Sequence, residues 1–242
     1  MEAERSWMEE LKKGTCILVC AGEYQGEKIE PGPEDLLMAV DAGLGYLVQM
    51  DLMPDHILGD FDSLRQEHFP VLDRWQREHP EALTRLPHIK DDTDTVAAVK
   101  LGLRMGYRRF EIYGGLGGRL DHTISNIQTL AYLKRHGGHG VLVGTGQLIM
   151  VLEHERIWFS RGFEGIFSLF ALDEQVTGIN LKGMDYELEN GSIVNTFPLG
   201  QSNEIHADRE ALAQVDKGLA LVILTWEAGQ APPPVYTVST LS

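Results

Sequence analysis

Three short acidic segments lie close together in the first half of this 242-residue chain: Gly59-Asp60-Phe61-Asp62-Ser63, Lys90-Asp91-Asp92-Thr93-Asp94, and Gly114-Gly115-Leu116-Gly117-Gly118-Arg119-Leu120-Asp121-His122. Carboxylates gathered at the ends of apolar strands repel one another and must be desolvated, so such a cluster calls for a cation. The glycines beside them point to phosphate. Together the segments describe a magnesium-nucleotide site.

Asp60 and Asp62 follow His56-Ile57-Leu58, which reads as a strand, and open α/β sheets place their ligands at the carboxyl ends of strands. If the segment is extended, residues two apart face one side, so both carboxylates can meet one cation while Phe61 packs inward. Gly59 lets the chain turn. An isolated Asp-x-Asp is more simply an acidic turn with Ser63 capping the next helix. The second segment shifts that balance. It sits at another strand-to-helix junction, where Asp91 and Asp94 can project together across the helix start. Asp92 or Thr93 offers the N-cap, and Lys90 suggests a phosphate to be contacted.

The third segment is the most specific. Its glycines, Gly117 and Gly118 among them, free backbone amides to approach phosphate oxygens at the start of a helix near Asp121, where the dipole favours anions. Arg119 can fork to phosphate, and His122 and Asn126, four apart, share a helix face that can meet the ligand. No Gly-Lys-Ser/Thr follows, so this is not a Walker A loop. Leu120 stands where the dinucleotide fingerprint needs its third glycine. Asp41, in Ala39-Val40-Asp41-Ala42-Gly43, ends another strand at the same sheet edge, as a ligand or as a helix N-cap before Leu44 and Leu47. His56, His68, His79, His88 and His154 show no metal-ligand spacing and read as structural or surface residues. No Ser-His-Asp or Cys-His arrangement is evident.

The elements that must position these residues follow two rhythms. Up to about residue 145, strand-like runs near Cys16 to Cys20, Leu37 to Val40, His56 to Leu58, Leu83 to Leu86, Phe110 to Tyr113 and Val141 to Val143 alternate with helical patterns. The clearest helices are Thr95 to Arg104, with Val96, Val99 and Leu103 inward, and Asp121 to Lys134, with Ile124, Ile127, Leu130 and Ala131 inward. This is the pattern of a Rossmann-like α/β domain with a mainly parallel sheet, residues 1–145. After Gly146 come short alternating runs: Gln147 to Leu152, Arg156 to Ser160, Gly165 to Leu172, Val176 to Leu181, Ile193 to Thr196, Glu204 to Ala207 and Leu219 to Thr225. They predict an all-β sandwich over residues 146–242, with Ala231-Pro232-Pro233-Pro234 as a spacer before a last strand, Val235 to Val238.

Composition narrows the function classes. With 43% hydrophobic residues the chain can bury a full core. Its 36 acidic residues against 21 basic ones give a formal charge of −15, which disfavours nucleic acid and anionic membranes as partners and suits a small, cationic substrate. Cys16 and Cys20 share a face of one strand roughly 13 Å apart at about 3.3 Å per residue, too far for a disulfide, and read as reduced core residues. The segment Met1-Glu2-Ala3-Glu4-Arg5 has no apolar signal core and no run approaches a membrane span, so the cytoplasm is the expected compartment.

In order and spacing, Asp41-Ala42-Gly43, Gly59 to Ser63, Asp91 to Asp94, and Gly114 to His122 with Asn126 resemble the thiamine pyrophosphokinase family. Gly200-Gln201-Ser202-Asn203-Glu204 resembles the Ser-Asn segment of that family's thiamine-binding domain. The resemblance implies an enzyme that moves the pyrophosphoryl group of ATP to the hydroxyl of thiamine, giving thiamine diphosphate and AMP. It also implies a homodimer with active sites at the subunit interface. Asp60, Asp62 and Asp94 correspond to magnesium-binding carboxylates, Asp91, Arg119 and Asp121 to other polar site residues, and Asp41 to an acid near the nucleotide. The chemistry then assigns charge stabilisation to Mg²⁺ and Arg119, and removal of the hydroxyl proton to Asp94 or Asp62. For the thiazolium cation the second domain offers Asp185, Tyr186, Ser202, Asn203 and Trp226. A metal-dependent nucleotide-sugar glycosyltransferase or nucleotidyltransferase would use Asp60-Phe61-Asp62 but gives no reason for the glycine segment. A non-catalytic nucleotide-binding module would not need the whole carboxylate cluster.

Overall fold

The computed structural model describes residues 14–24, 26–227 and 236–241. The readings made for Met1 to Arg5 and for Ala231 to Pro234 lie outside the described residues. The chain divides into two compact units, the first closing at Gly144 and the second opening at Thr145.

In the first unit, strands β1 (Thr15–Val19), β2 (Leu36–Val40), β3 (His56–Gly59), β4 (Leu83–Arg85), β5 (Arg109–Tyr113) and β6 (His139–Gly144) pair in the order β6-β5-β1-β2-β3-β4, every pair parallel. β2 is buried along its whole length, as expected of a parallel strand covered on both faces. One cover is α1 (Gly43–Gln49) and α2 (Phe69–Glu78), whose Leu44, Leu47, Leu72 and Trp75 pack with Ile17, Val19, Leu37 and Ile57. The other is α3 (Asp94–Arg104) and α4 (Leu120–Arg135). A Cβ on Gly102 of α3 would meet the Phe110 ring at 2.6 Å and Cys16 Sγ at 3.0 Å, so the helix lies directly on β1 and β5. From β1 the chain adds β2, β3 and β4 on one side, then returns to place β5 on the other. The sheet therefore reverses between β1 and β5, where doubly wound sheets open a crevice at their carboxyl edge.

The second unit holds β7 (Gln147–Leu152), β8 (Glu155–Phe159), β9 (Gly165–Ala171), β10 (Gln175–Lys182), β11 (Leu188–Val194), β12 (Gly200–Ile205), β13 (Ala211–Val215), β14 (Ala220–Thr225) and β15 (Tyr236–Thr240). They form two antiparallel sheets, β12-β9-β14-β7 and β11-β10-β13-β8-β15. Phe159 and Phe167, one from each sheet, meet edge to face at 6.2 Å and join the sheets across a shared core.

Several expectations change. α2 and β13 had no expected span: only a helix somewhere after Ser63 was expected where α2 turns Leu72 and Trp75 to the sheet, and the buried face of β13 is two small alanines and Val215. β12 begins at Gly200 instead of Glu204, and β11 spans Leu188–Val194 instead of Ile193 to Thr196. α4 is rotated from its expected phase. Its buried residues are Asn126, Thr129, Leu130 and Leu133, while Ile124 is exposed. The fully buried positions of α3 are Thr95, Ala98, Val99 and Gly102, with Val96 and Leu103 only half-buried, because close approach to the sheet selects small residues. Both cysteines are buried and free. No described helix is long and apolar enough to cross a membrane.

Candidate active site

Two strand ends and a helix start build an acidic cluster. β2 delivers Asp41, which adopts φ 51° and is only 5% exposed. The amide of Asp41 donates to Leu58 O at 2.8 Å, and a Cβ on Gly59 would lie 2.9 Å from Asp41 Cα, so the glycine serves this close approach as well as the turn. Asp41 does not cap α1, whose N-cap is Ala42 with no side-chain cap bond. Ser63 does not cap a helix either: its hydroxyl donates to Asp41 Oδ2 at 2.6 Å and lies 2.9 Å from Asp62 Oδ1. Nor is Asp60-Phe61-Asp62 extended. Phe61 takes φ 64° and is buried, and the Asp62 amide turns back to Asp60 Oδ1 at 3.3 Å.

The start of α3 supplies the rest. Thr93 is the N-cap, its hydroxyl accepting from the Val96 amide at 3.3 Å, while Asp92 pairs with Lys100. Asp91 is exposed and Asp94 turns inward. Lys90 reaches across with Nζ 2.7 Å from Asp60 Oδ2 and 3.0 Å from Asp94 Oδ1, its side chain 15% exposed. His88 Nδ1 lies 3.6 Å from a carboxylate oxygen of both Asp60 and Asp62. Two overlapping groups thus offer ligand atoms within 4.8 Å of one another, Asp41 with Asp60 and Asp94, and Asp60 with Asp62 and His88. Asp60 belongs to both.

The electrostatics reflect this crowding. The Lys90 hydrogen bond holds Asp60 below the usual carboxylate range, against a smaller opposing push from burial. Burial pushes Asp94 up and the charges of Asp60 and Asp41 add to it, outweighing Lys90. Burial works to lower Lys90, and its hydrogen bonds to Asp60 and Asp94 with their charges more than offset this.

The glycine loop follows β5 at the reversal point of the sheet. Gly22, just past β1, donates to Gly114 O at 2.8 Å, and the Glu23 amide donates to Leu116 O at 3.2 Å. Gly114, Gly117 and Gly118 adopt φ 61°, 77° and 61°, conformations that strain any side chain. Asn126 is buried and donates from Nδ2 to Gly115 O at 2.7 Å, so its amide braces the loop from α4. The Gly118 amide donates to a carboxylate, Glu23 Oε1, at 2.9 Å. Arg119 and Asp121 are exposed and form a forked pair, Nη2 to Oδ2 at 2.6 Å and Nε to Oδ1 at 3.2 Å, and His122 is exposed beside them.

In the second unit the Ser-Asn segment lies on β12, where Gly200 pairs with Leu169 and Asn203 with Phe167. Three steps on one strand against two on the other make a bulge. Ser202 occupies it at φ 60°, exposed, its amide held by Ser168 Oγ at 3.0 Å. Asn203 is buried: Oδ1 accepts from the amides of Tyr186 at 2.9 Å and Glu204 at 3.0 Å, and Nδ2 donates to Tyr186 O at 2.7 Å. Tyr186 is 74% exposed. Asp185 pairs with His206 Nε2 at 2.7 Å, and Glu204 lies in the same group. Trp226 is buried against Phe163 and belongs to the core.

Sequence models of two domains match the chain. The thiamin pyrophosphokinase catalytic domain matches residues 32–141, and the thiamin pyrophosphokinase vitamin B1 binding domain matches residues 154–220, so most of the chain is taken up by one family. The chain belongs to the thiamine pyrophosphokinase family. A thiamine pyrophosphokinase of Bacillus subtilis is 26% identical over 200 residues, 78% of this chain and 86% of that protein. The crystal structure of thiamine pyrophosphokinase from Bacillus subtilis shares the fold at a TM-score of 0.76 and 23% identity, covering 88% of this chain and 100% of that one. Yeast thiamin pyrophosphokinase does so at a TM-score of 0.68 and 15% identity, covering 90% of each chain.

The catalytic-domain match of this thiamine pyrophosphokinase-family chain takes in the acidic cluster and the glycine loop, and the second match takes in Asp185, Ser202 and Asn203. Glu23, before the first match, is the anion at the loop that sequence reading missed, though its place just after β1 at the reversal point was a usable signal. His88 is exposed, as expected of a structural or surface residue, and its ring nonetheless lies 3.6 Å from oxygens of Asp60 and Asp62. The donor set suits a hard dication, which takes oxygen ligands: three carboxylates converge, and Asp41 Oδ1 is buried with no hydrogen-bond partner.

Proposed function

We propose that this chain transfers the pyrophosphoryl group of ATP to the hydroxyl oxygen of thiamine, with Mg²⁺ held by Asp60, Asp94 and Asp41 and by Asp62 on the open side. The reading is carried by one observation: a carboxylate group largely out of water stands at the carboxyl ends of two parallel strands and the start of α3, in the same unit as a glycine loop at the sheet's reversal point. In the transfer, the thiamine oxygen forms a bond to the β-phosphorus as the bond from that phosphorus to the α,β-bridging oxygen breaks. AMP leaves with that oxygen, and the hydroxyl proton passes to a carboxylate. Asp62, with its side chain 56% exposed, is open to an incoming hydroxyl, whereas Asp94 turns inward with its side chain 21% exposed. The bound ion would supply charge stabilisation to the phosphates.

Around it, the chain's residues orient. The glycine amides at the start of α4 receive phosphate oxygens, with Asn126 fixing the loop, and Arg119 trades Asp121 for phosphate. In the second unit, Ser202 in its bulge and Asp185 face a cationic substrate, and Asn203 sets their geometry from behind. A homodimer belongs to this reading on family resemblance, and light scattering of the purified protein tests it. The deciding experiment incubates the protein with ATP, Mg²⁺ and thiamine and separates the products. Equal AMP and thiamine diphosphate, abolished by EDTA, are expected. ADP with thiamine monophosphate, or no thiamine-dependent turnover, would overturn the reading.

A further inference from the structure

The cluster already contains a cation of its own. Lys90 Nζ sits 2.7 Å from Asp60 Oδ2 and 3.0 Å from Asp94 Oδ1, in a place where the three side chains are only 15%, 11% and 21% exposed. Those two carboxylates, with Asp41, are the group whose ligand atoms lie within 4.8 Å of one another. Asp41 Oδ1 remains buried without a partner beside them. One ammonium against three carboxylates leaves the group short of positive charge, yet that ammonium occupies oxygens a divalent ion would take. A divalent ion on the same carboxylates, with oxygens at about 2.0–2.1 Å from it, competes with the ammonium for them and sets it against a like charge in a place largely out of water.

We propose that Lys90 is the resident cation of the metal site, displaced when the divalent ion arrives and then handed to the phosphates that accompany it. The inference rests on the metal reading given above and goes further in giving the site an order of loading. A free metal ion must evict Lys90 and leave its ammonium without an anion, so it binds weakly. A metal ion arriving with a triphosphate gives Nζ new oxygens to contact. Metal and nucleotide therefore favour each other's binding, and Lys90 carries that coupling. The lysine stem has the reach for such a swing, and a compact ammonium suits a point contact to phosphate.

The test uses the full-length protein and Mn²⁺, titrated by calorimetry and by the electron paramagnetic resonance of the free ion, with and without α,β-methylene ATP. Wild type is expected to bind Mn²⁺ about tenfold or more tightly when the analogue is present. Lys90→Met is expected to bind Mn²⁺ alone about tenfold more tightly than wild type, and to lose most of the coupling. Lys90→Arg, which keeps the charge, is expected to bind Mn²⁺ alone as weakly as wild type. An unchanged or lower Mn²⁺ affinity in Lys90→Met overturns the proposal, and so does tighter binding with undiminished coupling. Asp60→Asn is expected to lose Mn²⁺ binding in either background. Retention there would show that the carboxylates do not hold the metal, which removes the metal reading and this inference together. A failure confined to Lys90→Met leaves the metal reading standing. If Lys90→Met does not fold, wild type labelled with ¹³Cε-lysine decides the matter: the Lys90 signal should move on saturation with Mg²⁺ and the analogue, and a signal that stays in place overturns the proposal.

Discussion

Two of the groups of three potential metal ligands among the described residues, one in each unit, look alike on paper. Asp41, Asp60 and Asp94 gather in the α/β unit, and Asp185, Glu204 and His206 gather in the β unit, each group with its ligand atoms within 4.8 Å. Their surroundings differ. The first is held on chain bent into positive φ at Asp41 and Phe61, largely out of water, with a buried oxygen unpaired and a lysine pulled in. In the second, Asp185 and Glu204 are exposed, and Asp185 already has His206 at 2.7 Å. Exposed charges are settled by water and contribute little either way, whereas buried ones must be given a counter-ion. Desolvation, more than residue type, separates a site waiting for a metal ion from an exposed polar one.

The largest test of that contrast is catalytic. Asp60→Asn removes the carboxylate common to both ligand groups of the first unit, and kcat should fall roughly 10²–10³-fold or more, the scale on which one preorganised charge contact acts. Glu204→Gln in the exposed group should leave turnover within a few-fold. Thiamine-dependent AMP formation reads both, and equal losses would erase the distinction.

A second test sharpens the contrast inside the β unit, between neighbours in one motif. Asn203 is buried and its amide holds the backbone of Tyr186 and Glu204 through three bonds of 2.7–3.0 Å. Asn203→Ala strands those groups and should cost about 2 kcal/mol, lowering Tm by about 4–8 °C. Ser202, exposed in the bulge, should give a Ser202→Ala variant that melts like wild type and shows its defect in the KM for thiamine. Thermal melts followed by circular dichroism would contradict this division of labour if both variants fell together.

Much of this was legible in the sequence for reasons that can be named. Strands β1, β2 and β3 announced themselves because burial on both faces leaves unbroken apolar runs, and the acidic residues beyond them marked the ligand edge of the sheet. What sequence hid was direction. The phase of α4 was misjudged because Asn126 faces inward to serve Gly115 while Ile124 faces water, against the apolar rule. An extended Asp-x-Asp would put both carboxylates on one side, and the φ of Phe61 shows instead a turn that no local propensity predicts. Lys90 was assigned a phosphate by its type, yet here its partners are acids brought from thirty residues away and from the next helix turn. Long-range pairing of this kind is not written in spacing.

The smallest test asks whether the first cluster really stores unfavourable charge. Burial, with the charges of Asp60 and Asp41 behind it, raises the pKa of Asp94 above its ordinary value, so the fold prefers this carboxyl protonated. For an acid shifted upward, the stabilising contribution is fully present below the unfolded-state pKa and is lost as pH rises through the folded-state pKa. At pH 7 the ionised Asp94 therefore weighs against the fold in the absence of metal. Asp94→Asn, a neutral isostere, should melt a few degrees above wild type in EDTA at pH 7, and the gap should close as pH falls toward 4, where wild type takes up the proton itself. Excess Mg²⁺ should close it from the other side, because only the wild-type cluster then gains the stabilisation of a bound ion. Asp185→Asn in the exposed group should show neither trend. An Asp94→Asn protein that melts below wild type in EDTA would mean that the Lys90 pair outweighs the crowding, and the two clusters would then differ in exposure alone.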